Sequence, residues 1–424
     1  MSAHKTAQPG AAAAPSAADQ DTFVTRLPIL DRQRQVVGYE LLFRPLEVGA
    51  RGFVAPDQTS ARVISDAIVS IGLDALTSGR RAFVGISRRL LVEGIPSVLP
   101  PDQVVLELGT DVEADAEVIQ ACREFRRSGY EIAVDDFMLN EWTRDLIPLA
   151  NYLKVDFTTV TDSGDRQAIV AARGQRGPSL IAKHVETFET FDLAVKEGFT
   201  YFQGFFFGRP VIQEARSVPT QQLGNLRLMR ALHDPNISVH QLEDLIKHDA
   251  GLCYRILRTV NSAAFAQRST IESIRQALIL LGRDTVSRWA AVWVFAGLGG
   301  GTQSELVRMA TVRARCCELL GQATGRDEAA SEGFLVGMCS LLDVLLECSI
   351  EKVLEQLPLA PEMRGALLGE DNACRRRLEC VIAYESGDWM RALELAERAQ
   401  IDPLKLRSAH AEALRWVETL THEK

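Results

Sequence analysis

Between Thr22 and about Arg216, short apolar runs alternate with amphipathic stretches; after Pro219 the apolar spacing becomes purely helical. This change of period constrains the fold of the 424 residues more than any other feature. The early runs are Phe23–Leu30, Val36–Phe43, Ala82–Ser87, Val104–Leu108, Ile132–Asp136, Tyr152–Val155, Leu180–Lys183 and Tyr201–Phe207. Between most of them lie patterns such as Val118, Ile119, Cys122 and Phe125, with steps of three or four. Strands alternating with helices predict a parallel sheet with crossover helices. The first two runs are joined around Asp31-Arg32-Gln33 without an obvious helix, which suggests an antiparallel hairpin.

Several runs finish in charged or amide residues: Glu40 and Arg44, Glu107, Asp135 and Asp136, Lys154 and Asp156, and Lys183; Gln203 opens the last. Polar residues collected toward the C-terminal ends of apolar strands suggest a (β/α)8-type barrel, because that face assembles barrel sites. An open doubly wound sheet is the alternative.

In the second half, Leu242-Leu245-Ile246, Cys253-Ile256-Leu257-Val260 and Ile274-Ala277-Leu278-Leu281 follow the i, i+3, i+4 rule. Ser238 and Asp249 read as N-caps, Gly282 as a helix stop, and Pro235 and Pro403 as turn residues. The fold class is therefore α/β plus all-α. The expected division is a disordered tail over 1–20, a barrel over 21–215 and a helical domain over 216–424.

A net charge of −9 argues against a broadly basic nucleic-acid footprint. Eight cysteines without a CxxC pair suggest reduced thiols in a cytoplasm rather than a disulfide scaffold. The apolar stretch Ala290–Leu298 is about half a bilayer span, so no membrane partner is expected.

Five segments in order carry a resemblance. Gly38-Tyr39-Glu40-Leu41-Leu42-Phe43-Arg44 resembles the GxEALxR segment of EAL-domain cyclic di-GMP phosphodiesterases, and Leu106-Glu107-Leu108 their LEITE strand. Val134-Asp135-Asp136-Phe137 resembles the DDFG strand, Leu153-Lys154-Val155-Asp156 the LKID strand, and Gln203 to Pro210 the closing QGYxFxxP signature. The resemblance implies a TIM-like barrel that hydrolyses a cyclic dinucleotide with Mg²⁺ or Mn²⁺ held by oxygen ligands. By the same resemblance Glu40, Glu107, Asp135 and Asp136 occupy metal-ligand positions, Arg44 a phosphate contact, and Lys154 a place beside the attacking water. Glu186 and Gln203 match positions lining that site.

Four functional positions depart from the pattern. Gly85 stands for the Asn of the NVS strand, and Gly109-Thr110 lacks the second Glu of LEITE. Met138-Leu139-Asn140 replaces the GTG loop, and Lys183-His184 replaces the first two residues of EGVE. Lys183 is the decisive change, because an ammonium beside carboxylates repels a divalent cation and supplies the charge balance itself. Lys154, Lys183 and Arg44 are then expected to pair with the retained acids, and no cofactor is expected. The retained acids also admit a purely structural reading as barrel-mouth ion pairs.

Lys247-His248-Asp249-Ala250, then Arg255 to Ala263 with Asn261-Ser262-Ala263, then Ala277 to Gly282 resemble the core of an HDOD domain, a relative of HD phosphohydrolases without their metal motif. His248-Asp249 is accordingly read as a helix start, with Asp249 its N-cap. Arg375-Arg376-Arg377 reads as a solvated face, and Trp289 and Trp293 as core residues. The two resemblances together imply a bacterial signalling protein. Its degenerate EAL-like barrel and HDOD-like domain would serve as an adaptor toward other signalling proteins, or as a cyclic di-GMP-related regulator. The alternatives are a Mg²⁺-dependent phosphodiesterase giving pGpG, with Lys154 and Glu186 catalytic, and a metal-free cyclic di-GMP sensor binding through Arg44 and Gln203.

Overall fold

The computed structural model describes the chain from Thr22 to Thr421 apart from 46–70, 111, 141–142, 205–224, 226–227, 230–231, 233–236, 248–249, 262–270, 272, 299–303, 326, 347–348 and 358. The expected tail, the boundary near 216, the end of the closing signature, His248, Asp249 and Pro235 lie outside the described residues.

Eight strands form a closed barrel: β1 (Thr22–Leu30), β2 (Val36–Pro45), β3 (Arg81–Ile86), β4 (Val104–Leu108), β5 (Glu131–Val134), β6 (Tyr152–Asp156), β7 (Ser179–Lys183) and β8 (Tyr201–Phe202). The open-sheet alternative is thereby set aside. β1 is antiparallel to both β2 and β8, and every other neighbouring pair is parallel. Asp31 closes the β1–β2 hairpin, its carboxylate accepting from the amides of Gln33 at 2.8 Å and Gln35 at 2.9 Å.

Side chains alternate along a strand with a period of two, and that period builds the interior. Ile29, Phe83, Val105, Ala133 and Ile181 form a dry floor, flanked by Val37, Tyr152 and Tyr201. Two residues further along their strands stand Gly85, Glu107, Asp135, Lys154, Lys183 and Gln203. An apolar floor under a polar mouth thus follows from strand geometry alone. Gly38, two residues before Glu40, gives the floor room: a Cβ there would come within 2.9 Å of the Phe83 ring.

β5 is shorter than its sequence suggests. It ends at Val134, and Asp135 and Asp136 lie in a turn, with Asp136 at φ 43° and the Phe137 amide donating across to the Lys154 carbonyl at 2.7 Å. Outside the barrel, the helix Ala116–Arg127 buries Val118, Ala121, Cys122 and Phe125, and the Asp115 side chain caps it through the Val118 amide at 2.9 Å. Val118 and Phe125 each contribute about 1.5–3 kcal/mol by leaving water.

The second half is helical. Ser238 and Gln241 exchange hydrogen bonds ahead of the helix Val239–Lys247, and Ser273 and Gln276 form a capping box on Ile274–Leu281, which Gly282 ends at φ 81°. Pro403 opens the helix Pro403–Thr421 instead of sitting in a turn, as a residue with fixed φ and no amide hydrogen can do at a first helical position. Trp289 and Trp293 meet at a tilt of 60° with 6.1 Å between ring centroids and pack into the core. Arg375 pairs with Glu379 and Arg376 with Asp371, while Arg377 is buried, so the basic run is not one solvated face. The window Ala329–Leu346 is apolar enough for a membrane span but is 78% buried within the bundle.

The helical half packs on the barrel hairpin. Phe23 meets Tyr384 at 5.5 Å and Trp389 at 6.1 Å. The Tyr384 hydroxyl accepts from the Val24 amide at 3.3 Å and donates to the Val24 carbonyl at 3.2 Å.

Candidate functional site

The barrel mouth brings Glu40, Glu107, Asp135, Asp136, Lys154, Lys183 and Gln203 into one charged network. Lys154, fully buried on β6, donates to Glu40 Oε2 at 2.6 Å and Glu107 Oε1 at 2.8 Å, and its Nζ lies 3.6 Å from Asp135 Oδ1. Gln203 Nε2 also donates to Glu40 Oε2, at 2.6 Å. Lys183, at the tip of β7, donates to Asp135 Oδ1 at 2.7 Å, Asp135 Oδ2 at 2.9 Å and Asp136 Oδ1 at 2.7 Å. Each lysine thus bridges two carboxylates.

The charges set one another's protonation. Burial opposes ionisation of Asp135, but Lys154 and Lys183 outweigh it and pull its pKa down to about 2. Burial also opposes the Lys154 charge, and Glu107, Glu40 and Asp135 overcome it, holding the ammonium above its usual range. Glu107 goes the other way: burial and the neighbouring Glu40 charge raise its pKa despite Lys154. Lys183 keeps its proton more firmly than a free lysine. Burial and Lys154 oppose that, and Asp135 and Glu40 prevail.

The remaining predicted residues sit around this network. Arg44 is half-buried near the end of β2, four residues beyond Glu40, and among the described residues no ion pair joins it to these acids. The expected Arg44 pairing is therefore corrected: about 3.3 Å of rise per residue carries it well past the network. Glu186 is half-buried in the segment before the helix Phe188–Glu197. Gly85, in register with Glu107, is exposed, and a Cβ there would meet no atom within 4 Å. Thr110 is exposed beyond β4. His184 adopts φ 54° and places Nδ1 3.0 Å from Asp156 Oδ2. That pair escaped the sequence reading, although the β6–β7 register sets Asp156 opposite Lys183 and so beside His184.

Glu40, Glu107 and Asp135 each offer an oxygen, all within 4.8 Å of one another. That spread suits one hard cation with oxygen ligands at about 2.0–2.6 Å. Among the described residues, two buried oxygens of the network, Glu107 Oε2 and Gln203 Oε1, have no hydrogen-bond partner. The donor set of Glu40, Glu107 and Asp135 is of the kind that holds a divalent ion, but Lys154 already stands among these three carboxylates, as Lys183 does between Asp135 and Asp136.

Comparison with known proteins agrees with this architecture. A family model described as the EAL domain matches residues 58–210, and one described as the HDOD domain matches residues 218–358. The EAL match begins after β2, so Glu40 precedes it. The protein YuxH of Bacillus subtilis is 35% identical over 410 residues, covering 95% of this chain and 99% of that one. The cyclic di-GMP phosphodiesterase CdgJ of Vibrio cholerae is 30% identical over 404 residues, covering 94% of this chain and 93% of its own. Among solved structures, the Klebsiella pneumoniae protein BlrP1 in complex with calcium and cyclic di-GMP is 21% identical. It aligns over 47% of this chain and 58% of that one at a TM-score of 0.38. By its two matched domains and its end-to-end similarity to these relatives, the chain belongs to the family in which an EAL domain is followed by an HDOD domain.

Proposed function

We propose that the chain is a cytoplasmic, cyclic di-GMP-related signalling protein whose EAL barrel does not hydrolyse the dinucleotide, and whose HDOD domain engages other signalling proteins as an adaptor. One observation carries this reading: the Lys183 ammonium bridges Asp135 and Asp136 at 2.7 Å each. An ammonium about 4 Å from a divalent ion opposes it by about 8 kcal/mol at an effective dielectric near 20. The side chain thereby neutralises acids that would otherwise favour a second cation. The domain division at about residue 216 and the absence of nucleic-acid and membrane partners belong to the same proposal.

A second reading has its own support. The gathered oxygens of Glu40, Glu107 and Asp135, the unpartnered Glu107 Oε2, and the relative named as a cyclic di-GMP phosphodiesterase favour a Mg²⁺- or Mn²⁺-dependent hydrolase yielding pGpG. In that reading those three residues would hold the ion, which supplies charge balance to a phosphodiester and lowers the pKa of water. Lys154 would hold Glu40 and Glu107 in place, while Arg44 and Gln203 would contact ligand and Glu186 would line the site.

Calorimetry with cyclic di-GMP in Mg²⁺ and then in EDTA, with chromatography of the same samples, separates the readings. Binding without pGpG, or no binding in either buffer, supports the non-hydrolytic protein. Metal-dependent formation of pGpG overturns it in favour of the hydrolase.

A further inference from the structure

Consecutive residues of β2 face opposite ways, and here the two faces belong to different functions. Glu40 points into the mouth and is held there by Lys154 and Gln203. Tyr39 points outward, is 2% exposed, and donates its hydroxyl to Glu305 Oε2 at 2.6 Å. Glu305 sits in the first turn of the helix Ser304–Gln322, in the helical half. The Arg26 guanidinium lies over the Tyr39 ring at 4.5 Å and donates to the Leu76 carbonyl at 2.8 Å, so the ring is clamped from the barrel side. One turn beyond Glu305, Arg308 is buried and ion-paired with Glu418 of the last helix at 2.7 Å.

We infer that Tyr39 and Glu305 are a positioning pair, through which the helical domain sets the place of Glu40 in the barrel mouth. A peptide unit between two side chains fixed on opposite faces leaves little freedom for either. A displacement of the Ser304–Gln322 helix therefore moves the β2 backbone, and with it the carboxylate shared by Lys154 and Gln203. By thermodynamic reciprocity, anything that binds at Glu40 also biases the helix. Burial and the adjacent Glu305 charge raise the Tyr39 pKa, which keeps the hydroxyl a donor. The consequence for ligand binding rests on reading the mouth as a ligand site; the mechanical link does not.

The test is hydrogen–deuterium exchange on the full chain without ligand. Tyr39→Phe and Glu305→Leu are expected to speed exchange in Val36–Pro45 and, two strands along the barrel, in Val104–Leu108 by about two- to tenfold, the factor that one net hydrogen bond represents. Glu305→Gln keeps an oxygen acceptor and is expected to exchange like the native chain. A loss confined to the Ser304–Gln322 helix, or equal loss in the Gln and Leu variants, overturns the inference. If Glu305→Leu fails to fold, Glu40→Gln answers instead: faster exchange at the start of the Ser304–Gln322 helix supports the link, and no change there refutes it. Calorimetry with cyclic di-GMP adds the functional arm. A wild-type chain that fails to bind removes the ligand reading and leaves the exchange result to decide the link.

Discussion

In the barrel mouth the Lys183 ammonium lies within 2.9 Å of both oxygens of the Asp135 carboxylate. Asp135 also answers to Lys154, so two cations converge on a single acid. A mouth organised this way is balanced by its own side chains, and its chemistry should respond to reversing one of them.

Lys183→Glu combined with Gly85→Asn is expected to raise Mg²⁺ affinity, since the pair removes the competing charge and adds a neutral oxygen ligand. Open space around Gly85 accommodates the new side chain. Calorimetric titration with Mg²⁺ alone checks this, and an affinity equal to that of the native chain would count against the counter-ion role of Lys183.

Lys154→Met should destabilise the barrel by about 3–5 kcal/mol, because Glu40 and Glu107 stay buried without their shared cation. Adding Glu107→Gln should return part of that loss. Urea midpoints of the single and double variants report both effects, and a neutral single substitution contradicts the prediction.

Asp135 has a folded pKa of about 2, below its unfolded value near 3.9, so its ionisation stabilises the fold above the unfolded pKa. That contribution, about 2–3 kcal/mol, is lost as pH falls through the folded value. The stability gap between the native chain and Asp135→Asn should therefore narrow between about pH 5 and pH 2. Glu107 has the opposite sign: its raised folded pKa favours the fold below the unfolded value, and this is lost as pH rises through the folded one. Denaturation of Glu107→Gln from about pH 4 upward, mostly above the range in which Asp135 acts, separates the two.

Tyr384→Phe removes the hydroxyl that satisfies both the amide and the carbonyl of buried Val24, at an expected cost of about 1–3 kcal/mol. Thermal denaturation should show one cooperative transition at lower temperature. An unchanged midpoint would mean that these backbone groups find other partners.

Burial pushes the thiols of Cys339 and Cys380 up to about 12. Both should resist iodoacetamide at pH 8 in the native state and react only on unfolding. Mass spectrometry of partly alkylated protein checks the order.

Much of this arrangement was legible in the sequence because strand periodicity is local. Phe83 and Gly85, Val105 and Glu107, or Ile181 and Lys183 show floor and mouth two residues apart, wherever the barrel closes. The turn at Asp136 was not legible, since an apolar run ending in two acids reads as strand until the Phe137 amide finds the Lys154 carbonyl on a neighbouring element. Nothing in the residues around Tyr39 and Glu40 marks the tyrosine as a contact to the helical half. Its partner Glu305 is 266 residues away, and no spacing rule reaches that far.

The seating of Phe23, Val24 and Tyr39 against Tyr384, Trp389 and Glu305 has an evolutionary corollary. A gene cut at the barrel's end would leave an aromatic seam facing water, so neither half is a cassette to be shuffled onto other partners without rewriting its counterpart. Changes on the hairpin and on the last helices should consequently be inherited together, as compensating pairs.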